Sequence, residues 1–217
     1  MTAAHVTALS CRAVIYSQMP DSSVIADTRL LLRLWLSKPR QIATWTPTGT
    51  AVARAFVDAL DAAPQHGHIV ELGAGTGPIT AAMIDAGIDR ERLCVVEYDR
   101  DLVSLLQARF GPSGIVQGDA RALAGLFAAQ GVERIAAIVS TLPILHFSRP
   151  DQRRVLDACF ERGVRGAAFT QITYLPGSPV RQRALTRWGY RATRFCRVVR
   201  NWPPATLWQY RPDRAND

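Results

Sequence analysis

A doubly wound α/β sheet, parallel in most of its strands, is the fold class this sequence predicts, and three observations predict it. Short apolar runs at 68–72, 93–97, 114–117, 135–140 and 166–173 alternate with segments of helical period; strands alternating with helices make a parallel sheet covered on both faces. The first run stops abruptly at Gly73, and Gly75 and Gly77 follow before Pro78 opens a helix, where its missing N–H costs nothing. A strand, a turn without side chains and a helix let a nucleotide-type ligand lie against backbone. Finally, carboxylates stand at the ends of the next two runs, at Glu97 and Asp119.

In chain order, residues 1–27 are weakly patterned. Residues 28–37 read as a helix in which Leu30, Leu31, Leu32, Leu34, Trp35 and Leu36 cover most of the circumference, and Arg29 and Arg33 form a thin basic stripe; Lys38 and Arg40 follow, and Pro39 ends it. Such a helix is either docked on a core or lying in a membrane interface. Residues 1–47 are therefore read as an extension carrying an amphipathic helix, and 48–217 as the ligand-binding domain. The turn-rich linker 42–49 offers Thr46 or Thr48 as a cap for a helix over 51–60. Helices are then expected over 79–86, 100–109 (with Asp99 and Asp101 favouring its start through the dipole), 121–129, 150–161 and 180–187. A terminal hairpin, 193–200 with 205–211, completes the chain.

Composition narrows the function classes. The chain has 217 residues, enough for one good core plus an extension. With 48% hydrophobic residues and a mean hydropathy of +0.01, no stretch approaches the roughly 20 apolar residues that span a bilayer, and no secretory signal is expected at the N-terminus. Cys11, Cys94, Cys159 and Cys196 are scattered, without CxxC or histidine partners, which points to reduced thiols and no metal site. The net charge of +8 and pI near 10.0 call for an anionic partner, nucleic acid or an acidic membrane. Lys38 is the only lysine; seven arginines at 181, 183, 187, 191, 194, 197 and 200 share a stretch without an acid. That stretch is either a solvated edge or a phosphate-binding rim.

Which nucleotide the loop takes follows from its spacing. A dinucleotide fingerprint needs glycine where Pro78 stands, and a phosphate loop needs Gly-Lys-Ser/Thr, which is absent. Glu97, about 20 residues past the loop, has the position of a ribose hydroxyl acceptor. Glu71-x-Gly-x-Gly-x-Gly, then Glu97, then Gln117-Gly118-Asp119-Ala120, resembles the S-adenosylmethionine site of class I methyltransferases. The resemblance implies the Rossmann-like sheet of that class, with one antiparallel strand from the C-terminal hairpin. It also implies cofactor contacts from Glu71, Gly73, Ala74, Gly75, Thr76 and Gly77 to the methionine part, from Glu97 and Tyr98 to the ribose side, and from Asp119 and Ala120 to the adenine, with Thr141 nearby.

The acceptor should sit beyond the fourth strand, where the chain reads Ser140-Thr141-Leu142-Pro143-Ile144. Enzymes that methylate base amino groups usually carry Asn/Asp-Pro-Pro-Tyr/Phe here; this chain has neither the amide nor the aromatic, so nucleic acid is the less favoured partner. Ser-Thr-Leu-Pro, Trp35-Leu-Ser-Lys-Pro39 with Thr46-Pro-Thr48, Thr170-Gln-Ile-Thr-Tyr174-x-x-Gly-Ser-Pro179 and Pro203-Pro-Ala-Thr-Leu-Trp-Gln-Tyr210 resemble, in order over 28–211, bacterial phospholipid N-methyltransferases. Thr141 departs from that family's glycine and Thr48 from its frequent serine. The resemblance implies stepwise methylation of phosphatidylethanolamine toward phosphatidylcholine. It also implies a cytoplasmic protein peripherally associated with the inner membrane, its N-terminal helix lying in the interface. By topology, the Leu142–Pro143 loop, His146 and Tyr174 are the catalytic candidates; Trp45, Thr46, Gln171 and Tyr174 are the substrate-binding ones, and Phe147 is weaker. An alkylammonium with a pKa near about 10 must lose its proton before it attacks, hence the interest in His146 and Tyr174. An RNA adenine methyltransferase of the dimethylase type and a non-catalytic binding module remain the rival readings, and the oligomeric state stays open.

Overall fold

The structure is a computed structural model that describes residues 49–201 and 203–213; the expected helix 28–37, and with it Trp45, Thr46 and Thr48, lies outside the described residues. The elements are α1 (Thr50–Asp58), β1 (His68–Leu72), α2 (Pro78–Asp85), β2 (Leu93–Glu97), α3 (Arg100–Phe110), β3 (Ile115–Gln117), α4 (Leu123–Ala129), β4 (Ile135–Ser140), α5 (Arg149–Phe160), β5 (Gly163–Thr173), α6 (Gln182–Arg187), β6 (Tyr190–Val198) and β7 (Ala205–Pro212). They build one seven-stranded sheet of order β3-β2-β1-β4-β5-β7-β6. β7 runs antiparallel to both β5 and β6, and every other pairing is parallel. The order reverses between β1 and β4, so a ligand crevice opens beyond their carboxyl ends.

Side chains of successive strand residues serve opposite faces. Ile69, Val95 and Val139 pack with Phe56, Met83 and Leu106 of α1, α2 and α3. Val70, Leu72, Val96, Ile138 and Phe169 pack with Phe127 of α4, Leu156 and Cys159 of α5 and Leu185 of α6. Helices on both faces explain why β1, β2 and β4 read as largely apolar runs, interrupted in β1 by Glu71. Cys94 and Cys159 are buried thiols, and burial pushes the Cys94 pKa up to about 11. No group of His, Cys, Asp or Glu among the described residues is placed to hold a metal.

The differences from expectation are at element ends. β5 begins at Gly163 and β6 at Tyr190, both three residues before the expected starts, because pairing partners extend the hydrogen-bonded ladder beyond the apolar run. β6 also ends at Val198, two residues early. The cap of α1 is Gly49. Asp99 caps α3, accepting from the N–H groups of Asp101 and Leu102. The expected helix 121–129 is a 3₁₀ turn, Ala120–Ala122, followed by α4. No helix among the described residues is long and apolar enough to cross a membrane.

Candidate functional site

The loop after β1 is held in a conformation that only glycine adopts without strain. Gly73, Gly75 and Gly77 have φ of +78°, +62° and +84°, in the left-handed region closed to most side chains. A Cβ on Gly73 would come within 3.2 Å of Thr141 Oγ1, and one on Gly77 within 2.6 Å of the Phe110 ring. The loop is thus clamped between the β4 exit and α3. Thr141 fixes the first side twice: its N–H donates to the Leu72 carbonyl at 3.0 Å, and its hydroxyl donates to the Gly73 carbonyl.

Three carboxylates stand at the carboxyl ends of β1, β2 and β3, with different hydrogen-bond partners. Glu97 Oε2 accepts the Gly75 N–H at 2.8 Å, and Oε1 accepts those of Tyr98 and Asp99 at 2.8 and 3.0 Å. Three of its roughly four acceptor sites are filled by backbone, leaving room for one ribose hydroxyl. Glu71 is fully buried and accepts from the Thr80 hydroxyl at 2.6 Å through Oε2. Its Oε1 is buried with no hydrogen-bond partner. Burial above all, and then Glu97, pushes its pKa up to about 7, against the pull of the Thr80 bond. Asp119 caps the 3₁₀ turn through the Arg121 N–H and pairs in a fork with the Arg121 guanidinium at 2.6–3.0 Å, which holds its carboxyl below the usual range. Ala120 is buried beside it, and Tyr98 is an exposed ring directly after Glu97.

On the acceptor side, Leu72, Ser140, Gln171 and Trp208 form one register row across β1, β4, β5 and β7. Gln171 Nε2 donates to the carbonyls of Leu142 and Ile172, both at 2.9 Å, so it braces the Leu142–Pro143 loop. The Gln171 Oε1 and Trp208 Nε1 atoms are buried without partners. Tyr174 is half-buried after β5; burial raises its pKa, partly offset by a hydrogen bond from Asn201. His146 is exposed at the end of the 3₁₀ turn Ile144–His146, with Phe147 half-buried beside it. The sequence reading brought Glu71, Glu97, Thr141 and the glycines together. It missed Thr80, Asn201 and the Arg121 fork; Thr80 had a legible signal, a threonine on the buried face of α2.

An adenosyl cofactor fits this set. Glycine backbone lines the loop, Glu97 keeps one open acceptor site, and the orphaned Glu71 Oε1 awaits a donor. Sequence comparison finds 36% identity over 140 residues to an ornithine lipid N-methyltransferase of Singulisphaera acidiphila, covering 63% of this chain and 71% of that protein. A ribosomal RNA small subunit methyltransferase A of Laribacter hongkongensis is 36% identical over 92 residues, covering 42% of this chain and 34% of that protein. Among solved structures, Streptomyces venezuelae DesVI matches with a TM-score of 0.58 at 13% identity, over 90% of this chain and all of that one. The glycopeptide N-methyltransferase MtfA complexed with S-adenosylmethionine matches with a TM-score of 0.56 at 17% identity, over 75% of this chain and 93% of that one. At such identities the structural matches show the fold. No family model matches the chain.

Proposed function

Because this chain belongs to the class I S-adenosylmethionine-dependent methyltransferases, we propose that it transfers methyl groups to the primary amine of a membrane lipid headgroup, with phosphatidylethanolamine as the acceptor. Its cofactor is S-adenosylmethionine, which supplies an electrophilic methyl group when bound. The observation that carries the acceptor reading is the exit of β4: Ser140-Thr141-Leu142-Pro143 presents neither the side-chain amide nor the aromatic that grips a flat base, and Gln171 braces it from β5. The relative named as an ornithine lipid N-methyltransferase favours a second headgroup, the primary amine of an ornithine lipid. The ribosomal RNA relative covers the smaller part of the chain and keeps RNA as the rival acceptor.

In this reading the residues position an amine lone pair and leave the rest to the cofactor. Glu97 and the glycine loop fix the cofactor from one side; Leu142, Pro143 and Gln171 shape the approach from β4 and β5. Tyr174 and Trp45, the latter outside the described residues, offer aromatic faces to the methylated ammonium, which has progressively fewer N–H groups to donate. The extension 1–47 and the arginine-rich edge are proposed to meet an anionic membrane surface, in keeping with a peripheral role on the cytoplasmic side of the inner membrane. Incubation with methyl-labelled cofactor, followed by separate extraction of lipid and RNA, tests the reading. Label in the lipid fraction supports it, and label confined to RNA rejects it.

A further inference from the structure

Among the described residues, five large apolar side chains are left exposed: Tyr98, Leu145, Leu175, Phe195 and Val199. Scattered exposure of single apolar residues is normal and needs no account. These five are not scattered. Tyr98 follows β2, Leu145 follows β4, Leu175 follows β5, Val199 follows β6, and Phe195 sits at the register shift in the last part of β6.

The pairing places these exits at one end of the molecule. β6 runs in the same direction as β5, because both pair antiparallel with β7. Thr206 of β7 pairs with Thr173 of β5 on one side and Arg197 of β6 on the other. Leu175 and Val199 therefore each lie two residues beyond the same register row, separated by the width of two strand spacings. Leu145 stands on the neighbouring exit, five residues past Ser140, within the turn Ile144–His146. This is the end of the sheet where the ligand crevice opens. Leu145, Leu175 and Val199 are 47%, 49% and 69% exposed, a degree of exposure with no role inside a folded domain in water.

Along the chain around Leu175 and Val199 the charge has one sign. From residue 162 to residue 212 the chain contains no Asp or Glu. Arg181 and Arg183 lie at the start of α6, and Arg194, Arg197 and Arg200 at the end of β6 and just beyond it, all exposed. Exposed apolar tips accompanied by exposed guanidinium groups match an anionic bilayer, in which the tips enter the acyl boundary and the arginines meet phosphate. A nucleic acid would use the arginines but has no use for three aliphatic tips.

We propose that Leu145, Leu175 and Val199, together with Arg194, Arg197 and Arg200, form a membrane-docking rim that sets the mouth of the site directly on anionic lipid. The proposal rests on the lipid-amine reading above and adds the surface by which the catalytic domain itself meets its substrate.

The test uses the full chain and vesicles of phosphatidylglycerol with phosphatidylethanolamine. The triple variant Leu145→Ser, Leu175→Ser, Val199→Ser is compared with wild type for vesicle flotation, thermal unfolding and methyl transfer to lipid dispersed in detergent micelles. The rim predicts that wild type floats, that the variant partitions at least about tenfold less well, given some tenfold per fully withdrawn leucine-sized side chain, and that its melting point is unchanged. Arg194→Ser with Arg197→Ser should remove much of the salt dependence of flotation. Micellar turnover should survive in the apolar variant. Flotation of that variant equal to wild type overturns the rim, as does a wild type that ignores these vesicles and binds RNA. Rim-dependent flotation without methyl transfer to any lipid amine supports the rim and sinks the catalytic reading instead, so the two failures are distinguishable.

Discussion

Glu97 Oε2 accepts the backbone N–H of Gly75 at 2.8 Å, a bond that joins residues 22 apart in sequence and ties the end of β2 to the middle of the glycine loop. The carboxylate proposed to hold the cofactor ribose is therefore also a structural part of the glycine loop. Replacing Glu97 by Ala removes both roles. Cofactor affinity should fall by about 1.5–3 kcal/mol for the hydrogen bond to a charged group, and the loop amides should exchange faster in deuterium. Calorimetry and hydrogen exchange on the same variant check this; loss of affinity with unchanged loop protection would show that the Gly75 bond contributes nothing.

Gly75 has a φ of +62°, so Gly75→Val forces a β-branched residue into the left-handed region. Binding of S-adenosylmethionine should become undetectable while circular dichroism still shows a folded sheet. Calorimetry with wild-type affinity would remove the loop from the cofactor site.

Glu71 gives a pH signature. Its folded pKa of about 7 stands above the usual value of 4.5, so between those values the folded protein binds more protons than the unfolded one. Stability is then full below about pH 4.5 on this account and declines as pH rises through 7, by up to about 3 kcal/mol for that single group. Glu71→Gln keeps a neutral side chain at every pH and should flatten this part of the curve. Denaturant unfolding of both proteins from pH 5 to 8 makes the comparison; parallel curves would contradict the burial argument.

Gln171 and Tyr174 separate positioning from proton transfer. Gln171→Leu removes the amide that holds the Leu142 carbonyl, so kcat should fall while cofactor affinity stays within about twofold, with a stability loss of about 1–3 kcal/mol for the unpaired carbonyl. Tyr174 has a raised pKa and a hydrogen bond from Asn201, so Tyr174→Phe should retain turnover to within about tenfold. A loss on the order of 10²-fold or more with intact cofactor affinity would restore Tyr174 as the proton acceptor.

The geometry of the candidate cofactor half was legible because it is local. Glycines, Glu71 and Glu97 sit within or directly after short strands, so spacing alone brings them to one end of the sheet, and the alternation of elements gives that end its place. What escaped depends on how side chains meet once the chain is folded. The Arg121 fork on Asp119 is a rotamer choice that spacing does not encode. Thr80 reaches Glu71 only because α2 packs back over β1, and Asn201 reaches Tyr174 across two strands. The starts of β5 and β6 were placed late because Arg165 and Arg191 break the apolar pattern; in β5 Gly163 still pairs with Ile135 before a register shift, and in β6 Arg191 itself pairs with Arg211. Gln171 reads as a substrate group in sequence, yet its amide N–H groups are spent on the Leu142 and Ile172 carbonyls.

The central claim, methyl transfer to a lipid amine, is tested most directly by mass spectrometry of products formed by the purified full chain with S-adenosylmethionine. The acceptors are phosphatidylethanolamine vesicles, ornithine lipid vesicles and ribosomal RNA, assayed in parallel. The account predicts N-methylated headgroups, with phosphatidylethanolamine the faster acceptor, and unmodified RNA. Methylated adenine in the RNA, with both lipids returned unchanged, would contradict it.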